Sequence, residues 1–370
     1  MLNSIIIPVF GNENLLKNLL DTLLPTIDEL CEVIIVDDGF PDMKINSHEL
    51  PNKVIYFSNE KNLGYSGSVN VGIGKARGKY ITTINSDILL DPNWLKETRN
   101  IFNSKENIGL LGAKLLYPNT GRIQHMGVKY GKEIQFSINK MRKFDDPAVN
   151  VEIEVESMSD ALATMPKQLV LDVNGYDEAF FNSHEDLDLC MKIKEKGYKI
   201  LISPKIIGYH ITSASGDFRY VKEQECASLF FNKWKDYLRY EEKDYFNCML
   251  KDFKSRGNLF PMEAYIVDIC RKASSHITKI FQDISSINII QSYNYRSYLE
   301  NSPLYQQNID IELLDILPFS HLKLKSPIIY IVDSFYFLQC NYYWAKNREN
   351  QNDVVFDKNF NLFSLNEVIL

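Results

Sequence analysis

The apolar positions of this chain fall in short runs separated by polar, turn-forming stretches, and two periods alternate along its first two thirds. Ser4–Phe10 is apolar throughout after its first residue, the pattern of a strand buried on both faces. Leu15, Leu16, Leu19, Leu20 and Leu23 then share one face of a helix that Asn12 can cap. Glu32–Val36 and Lys53–Phe57 predict two more strands. Tyr65–Arg77 predicts a helix closed by Gly78, Lys79–Asn85 a fourth strand, and Asn93–Asn103 a helix opened by Pro92. Such alternation predicts an α/β fold, a mostly parallel sheet flanked by helices. The rhythm then changes. Arg122–Phe136 reads as a hairpin around Gly131, and Ser137–Asn150 as a mobile polar loop carrying Lys140, Arg142 and Lys143. Ser159–Thr164 and Tyr198–Ser203 read as strands, Lys167–Val173 and Glu185–Lys196 as helices.

Composition adds a boundary near residue 244. Sixteen of the 17 glycines precede it, whereas the last 126 residues hold 21 of the 45 aromatics. Two domains are expected, 1–244 and 245–370, the second an aromatic-rich, mainly helical accessory domain serving acceptor, assembly or membrane docking. The net charge is −7, with 29 Lys+Arg against 35 Asp+Glu in the first part and 12 against 13 in the second. Neither part offers a basic field, which excludes a nucleic-acid partner. The six cysteines include no C-x-x-C pair, so a structural zinc site is not expected and a reducing compartment is. No window holds ~18 uninterrupted apolar residues, and the N-terminus runs straight into a strand. A cytoplasmic location is expected, with peripheral contact at the inner face of the cell membrane and homo-oligomer formation both left open.

The chemistry-bearing residues sit where elements end. Asp37 and Asp38 close the second strand before Gly39, and Phe10 ends the first. A carboxylate there can accept the imide N–H of a pyrimidine, with Phe10 against the ring, although Asp-Gly is also an ordinary turn dipeptide. Asn62-x-Gly64-x-x-Gly67-x-x-Asn70 lets a backbone approach either a phosphate or a packed strand. It is neither a dinucleotide fingerprint nor a P-loop. Asn85-Ser86-Asp87 has the spacing of a D-x-D metal site with an amide in first place, at the carboxyl end of a strand, where open α/β sheets bind ligands. Glu185, Asp186 and Asp188 open a helix, which the macrodipole alone would favour, but three carboxylates in four residues exceed what capping needs. Asp186 is the candidate general base, and Glu185 and Asp188 would orient the site or bind acceptor hydroxyls. His210 completes an acceptable Mn²⁺ set with oxygen ligands. His125 and His184 are weaker candidates.

Ser4–Phe10, Val33–Gly39, Asn62–Gly72, Asn85–Asp87, Gly175–Glu178, Glu185–Asp188 and His210 occur in an order that resembles family 2 glycosyltransferases, inverting metal-dependent enzymes of the GT-A fold. The Asn62–Asn70 and Asn85-x-Asp87 motifs look most like those of bacterial rhamnosyl- and galactofuranosyl-transferases. The resemblance covers residues 3–240. It implies a UDP- or dTDP-linked sugar donor contacted by Pro8, Phe10, Asp37 or Asp38, Asn62, Gly64, Gly67, Asn70, Asn85 and Ser86. It further implies Mg²⁺ or Mn²⁺ on Asp87 and His210, Asp186 as base, and a glycan or lipid-linked acceptor in cell-surface polysaccharide synthesis. Asn85 departs from the Asp of many members, and Phe10 from a frequent Tyr. Two other classes compete. A sugar nucleotidyltransferase would need a glycine- and arginine-rich loop after the first strand, where Gly11–Asn14 stands. A non-catalytic glycan-binding or scaffolding protein would explain Asn85 as a decayed metal site, but not the acids at 185–188.

Overall fold

The computed structural model describes residues 2–41, 43, 45, 50–131, 134–140, 142–211, 222–238, 250–251, 253–255, 257–268, 287–294, 326–332, 348, 352–357 and 361–369. The chain divides into two compact units, Met1–Arg239 and Tyr240–Leu370.

The first unit runs β1 (Asn3–Val9), α1 (Glu13–Leu23), β2 (Cys31–Asp37), β3 (Val54–Ser58), α2 (Gly64–Lys75), β4 (Tyr80–Ile84), β5 (Ile88–Leu90), α3 (Trp94–Ser104) and β6 (Ile108–Leu116). It continues through β7 (Ile123–His125), β8 (Val128–Gly131), β9 (Ile134–Ser137), β10 (Ile153–Glu154), β11 (Leu162–Pro166), α4 (Lys167–Asp172), α5 (Glu185–Glu195), β12 (Lys199–His210) and α6 (Glu223–Trp234). The central sheet has the order β10-β12-β6-β11-β4-β1-β2-β3, with β5 on β12 and β7 on β6. β4, β1, β2 and β3 are mutually parallel, as are β6 and β12, while β11 runs antiparallel between β4 and β6. Apolar side chains fill both faces. One core packs α1 and α3 against the sheet around Leu19, Ile35 and Trp94, and the other packs α2, α4 and α5 around Ile6, Val69 and Leu189.

Two sequence expectations change. The longest strand fully buried along its length, β6, was not among the predicted elements, because Gly109, Gly112 and Lys114 interrupt its apolar run. A Cβ on Gly112 would lie 2.0 Å from the Met158 methyl, so the strand needs a glycine where another side chain fills the space. Lys114 is buried and donates from Nζ to the Phe144 carbonyl at 3.2 Å and to Asn150 Oδ1 at 2.7 Å. The same contacts correct the expected mobile loop at Ser137–Asn150. Its described residues are tied down by Lys114, by the Arg142–Asp146 ion pair at 2.9 Å and by Asn150 Nδ2 on the Phe144 and Asp146 carbonyls. Polarity there reflects internal hydrogen bonding. Met141 lies outside the described residues.

The second unit carries a sheet of order β14-β13-β15-β16-β17, formed by β13 (Glu263–Asp268), β14 (Asn288–Asn294), β15 (Ile328–Val332), β16 (Val354–Asp357) and β17 (Leu362–Ser364). All its pairings are parallel except β16–β17. The mainly helical reading did not include this sheet, whose short apolar runs look the same as buried helix segments in a sequence. Most of the segments between these strands, where expected helices would fall, lie outside the described residues.

Candidate active site

Parallel strands bring their carboxyl ends to one sheet edge. β1 ends beside Phe10, β2 at Asp37-Asp38 and β4 before Asn85. The antiparallel β11 delivers its beginning there, so Ser159 and Asp160 join the same edge. A cleft of about 150 Å³ opens over it. Pro8, Phe10, Asp38 and Asn62 line one end, Asn85, Ser86, Asp87 and His210 the middle, and Asp160, Asn182, Glu185 and Asp186 another part of the wall. Of the predicted site residues, Asp37, Gly64, Gly67, Asn70 and Asp188 do not line it.

At the first end Phe10 is 44% exposed and packs edge-on against Phe40. The two acids after β2 separate in role. Asp37 is buried and accepts from Tyr56 Oη at 2.7 Å, Ser58 Oγ at 3.1 Å and the Phe40 N–H at 3.1 Å. Its carboxylate is committed to the turn. Asp38 lines the cleft and holds the next loop through the Leu63 N–H at 2.7 Å and Asn59 Nδ2 at 3.1 Å. Burial pushes its carboxyl above the usual carboxylate range, against those hydrogen bonds.

In the middle, Gln124 fixes the chemistry of His210. Gln124 Nε2 donates to the His210 carbonyl at 3.1 Å, so Oε1 is the acceptor facing His210 Nδ1 at 2.6 Å. Nδ1 therefore carries the proton, and in the neutral ring Nε2 presents its lone pair to Asp87 Oδ1 at 3.2 Å. Two acceptors that close call for a proton or a cation between them. Asn85 adds a buried Oδ1 with no hydrogen-bond partner among the described residues. This donor set, imidazole and carboxylate beside an amide oxygen, suits Mg²⁺ or Mn²⁺. No three His, Cys, Asp or Glu side chains among the described residues converge to hold a metal unaided, so substrate oxygens would complete its shell. Sequence reasoning missed Gln124, which only the pairing of β7 with β6 brings near His210. His125 is not a ligand here. Its Nε2 accepts the Ser159 N–H at 2.9 Å, and burial pushes its pKa down to about 3. His184, also pushed down by burial, to about 4, pairs with Ser183 Oγ through Nδ1 at 2.8 Å.

At the remaining part of the wall the acids at the start of α5 divide. Glu185 and Asp186 face the cleft, and Asp186 Oδ1 accepts the Leu187 N–H at 2.8 Å. Asp188 is 0% exposed and turns away, accepting from Trp234 Nε1 and pairing with Lys233, both at 2.8 Å, with Lys192 at 3.3 Å. It anchors α6. Asp160, absent from the sequence-based candidates, lines the cleft near Asp186. Burial first, and the Asp186 charge second, push its pKa up to about 7.

The Asn62–Asn70 motif proves to be a scaffold for this region. Asn62 Oδ1 caps the Gly64 N–H at 2.9 Å, and Gly64 has φ +76°. A Cβ at Gly64 would lie 2.5 Å from the Phe181 carbonyl oxygen, and one at Gly67 2.6 Å from Leu63 Cβ. Ser66 Oγ donates to the Phe180 carbonyl, and Asn70 brackets the Tyr176 backbone, accepting its N–H and donating to its carbonyl, both at 2.9 Å. Strain and clash together predict that Gly64→Ala loses about 2–3 kcal/mol of stability. A urea unfolding curve measures it, and a midpoint equal to wild type would show that the chain relaxes there freely.

Residues 4–152 match the model of the glycosyl transferase family 2. An uncharacterized glycosyltransferase of Rickettsia typhi is 34% identical over 106 residues, 28% of this chain and 33% of that protein. The O-antigen biosynthesis protein RfbC of Myxococcus xanthus is 24% identical over 224 residues, 57% of this chain and 17% of that protein. The chain thus spans a third or less of the length of these curated relatives. Among solved structures, GalNAc-T7 with UDP, GalNAc and Mn²⁺ superposes with a TM-score of 0.53 at 14% identity, covering 88% of this chain and 58% of that one, a likeness of fold. Residues 4–152 are thus similar to a family 2 glycosyltransferase domain, and the fold is of the GT-A type.

Proposed function

We propose that the protein is a metal-dependent, inverting glycosyltransferase that moves a sugar from a UDP- or dTDP-linked donor to a hydroxyl of a glycan or lipid-linked acceptor in cell-surface polysaccharide synthesis. One observation carries this reading: a single cleft gathers a ring-and-carboxylate end, a carboxylate–imidazole pair and a helix-borne carboxylate. The kinship to an O-antigen biosynthesis protein supports the polysaccharide context, and the motif resemblance favours a rhamnosyl or galactofuranosyl group.

Phe10 lies against the base and Asp38 accepts its imide N–H, with Pro8 and Asn62 beside them. Asp87 and His210 Nε2 hold Mg²⁺ or Mn²⁺, with Asn85 and Ser86 alongside. When bound, the metal offsets the charge that develops on the departing diphosphate. Asp186 takes the proton from the acceptor hydroxyl as its oxygen attacks the anomeric carbon in line, and Glu185 orients that hydroxyl. One displacement with one base inverts the anomeric centre. Gly64 and Asn70 act at one remove, by packing α2 on the 176–182 segment, and Gly67 by leaving room for Leu63.

A donor-hydrolysis screen across UDP-, dTDP- and GDP-sugars with Mn²⁺ tests the proposal. Release of one nucleoside diphosphate is expected, accelerated by acceptor. A protein that binds glycans yet turns over no donor would favour the non-catalytic scaffolding reading. Among the described residues no helix is long and apolar enough to cross a membrane.

A further inference from the structure

Asp160 has no part in the chemistry described so far, yet it is a carboxyl set into the wall of the cleft with 3% of its surface exposed. Its backbone is held on both sides. Thr83 Oγ1 donates to its carbonyl at 2.8 Å, and the carbonyl of the next residue, Ala161, accepts the Asn85 N–H at 2.9 Å. Asp160 therefore stands one residue from the Asn85–Asp87 turn, and the Asp186 charge acts on it from the same cleft.

Its side chain is held as well. Tyr176 Oη donates to Oδ2 at 2.6 Å, and Asn70 pins the Tyr176 backbone from α2. Tyr65 is half-buried in the cleft wall, with its hydroxyl buried beside the same carboxyl and its ring 6.1 Å from that of Tyr176. The Tyr65 hydroxyl interacts with the Asp160 carboxyl but closes no hydrogen bond of good geometry among the described residues. A carboxyl has room for several donors, so Tyr176 leaves capacity on Asp160. A buried hydroxyl so loosely held beside a carboxyl with spare acceptor capacity is a polar pair that a polar ligand would complete.

We propose that Asp160 is a specificity-determining residue that accepts a hydrogen bond from a hydroxyl of the sugar carried by the donor, with Tyr65 as a second contact, a role that rests on the glycosyltransferase reading above. The position selects the donor sugar over the acceptor. The sugar is bonded to the phosphate that the Asp87–His210 pair addresses, so the group next to that turn is the sugar, and Asp160 is anchored to that turn. Whether ionised or protonated, its carboxyl keeps an oxygen able to accept. A donor lacking the matching hydroxyl would leave a buried polar pair unsatisfied, the condition under which sites discriminate most strongly.

The experiment compares affinities of the full chain with Mn²⁺ by calorimetry. UDP, dTDP and GDP are titrated beside UDP-glucose, UDP-galactose, dTDP-rhamnose and GDP-mannose, into wild type, Asp160→Asn, Asp160→Ala and Tyr176→Phe. Wild type is expected to bind one sugar nucleotide more tightly than its parent diphosphate. Asp160→Ala should lose about tenfold or more of affinity for that sugar nucleotide and none for the diphosphate, and Asp160→Asn, whose single amide oxygen still accepts, should lose less in the same direction. Tyr176→Phe, which keeps the ring, should lose less in the same direction, and it carries the test if an Asp160 variant fails to fold. Equal weakening of diphosphate and sugar nucleotide, no weakening of either, or an effect confined to acceptor KM would each overturn the proposal. So would a wild type that gains nothing from any sugar. A wild type that binds no nucleoside diphosphate overturns the glycosyltransferase reading itself, a result distinguishable from the others.

Discussion

Asp186→Asn should abolish transfer while leaving donor affinity unchanged. The substitution keeps the shape of the side chain at the start of α5 and can keep the Leu187 N–H bond, because the amide oxygen still accepts. It removes only the capacity to take a proton. Loss of a positioned general base lowers rates by about 10²–10⁴-fold, and an interaction made in the transition state alone appears in kcat and not in ground-state binding. Transfer kinetics beside donor calorimetry separate the two. Turnover at the wild-type rate would remove Asp186 from the mechanism. The contrast with Asp188→Asn is informative, since Asp188 supports α6 from a buried position. That variant should lose stability before it loses chemistry.

Stripping divalent ions should have an effect of similar size. With EDTA, donor binding and transfer should both fall to background, and Mn²⁺ should restore them. Asp87→Ala removes the carboxylate and should weaken metal-supported donor binding more than His210→Ala, because the anion supplies the larger Coulomb attraction. Gln124→Ala leaves both ligands in place but frees the imidazole to rotate or change tautomer, so a loss of about 10–100-fold in metal affinity is expected. Metal titration followed by Mn²⁺ paramagnetic relaxation reads this without turnover. Indifference of wild type to EDTA would sink the metal assignment regardless of the variants.

The sequence showed the parallel strands β1 to β4 and the helices between them because each is a run of one period bounded by a recognisable cap or turn. Strand ends were legible too, and with them Phe10, Asp38, Asp87 and His210, since a polar residue after a buried run marks an edge. Direction and pairing were not legible. Nothing in Ser159–Thr164 says that β11 runs against its neighbours, so Asp160 was missed although its acid was in plain view. Gln124 was missed for the same reason: its partner is 86 residues away in the chain. β6 was hidden by the residues that let it pack, Gly112 under Met158 and Lys114 under the 144–150 segment. The Glu185–Asp188 run was over-read as one cluster. A helix turns about 100° per residue, so Asp188, two residues beyond Asp186, is carried round to the buried side while Glu185 and Asp186 face the cleft.

The anchoring of α6 on Asp188 sets how short a working fragment can be. The segment recognised by family likeness ends at residue 152, but the folding unit does not end with it. Any version cut before Lys233 and Trp234 would strip two partners from Asp188 and uncover Phe180, Leu187 and Met191, which α6 packs against. Exposing large apolar side chains costs about 1.5–3 kcal/mol each, a large share of the roughly 5–15 kcal/mol that holds a typical domain together. The borders of an inherited module and of a physical one are therefore different lines on this chain, and a crystallographer or protein engineer trimming it should follow the second.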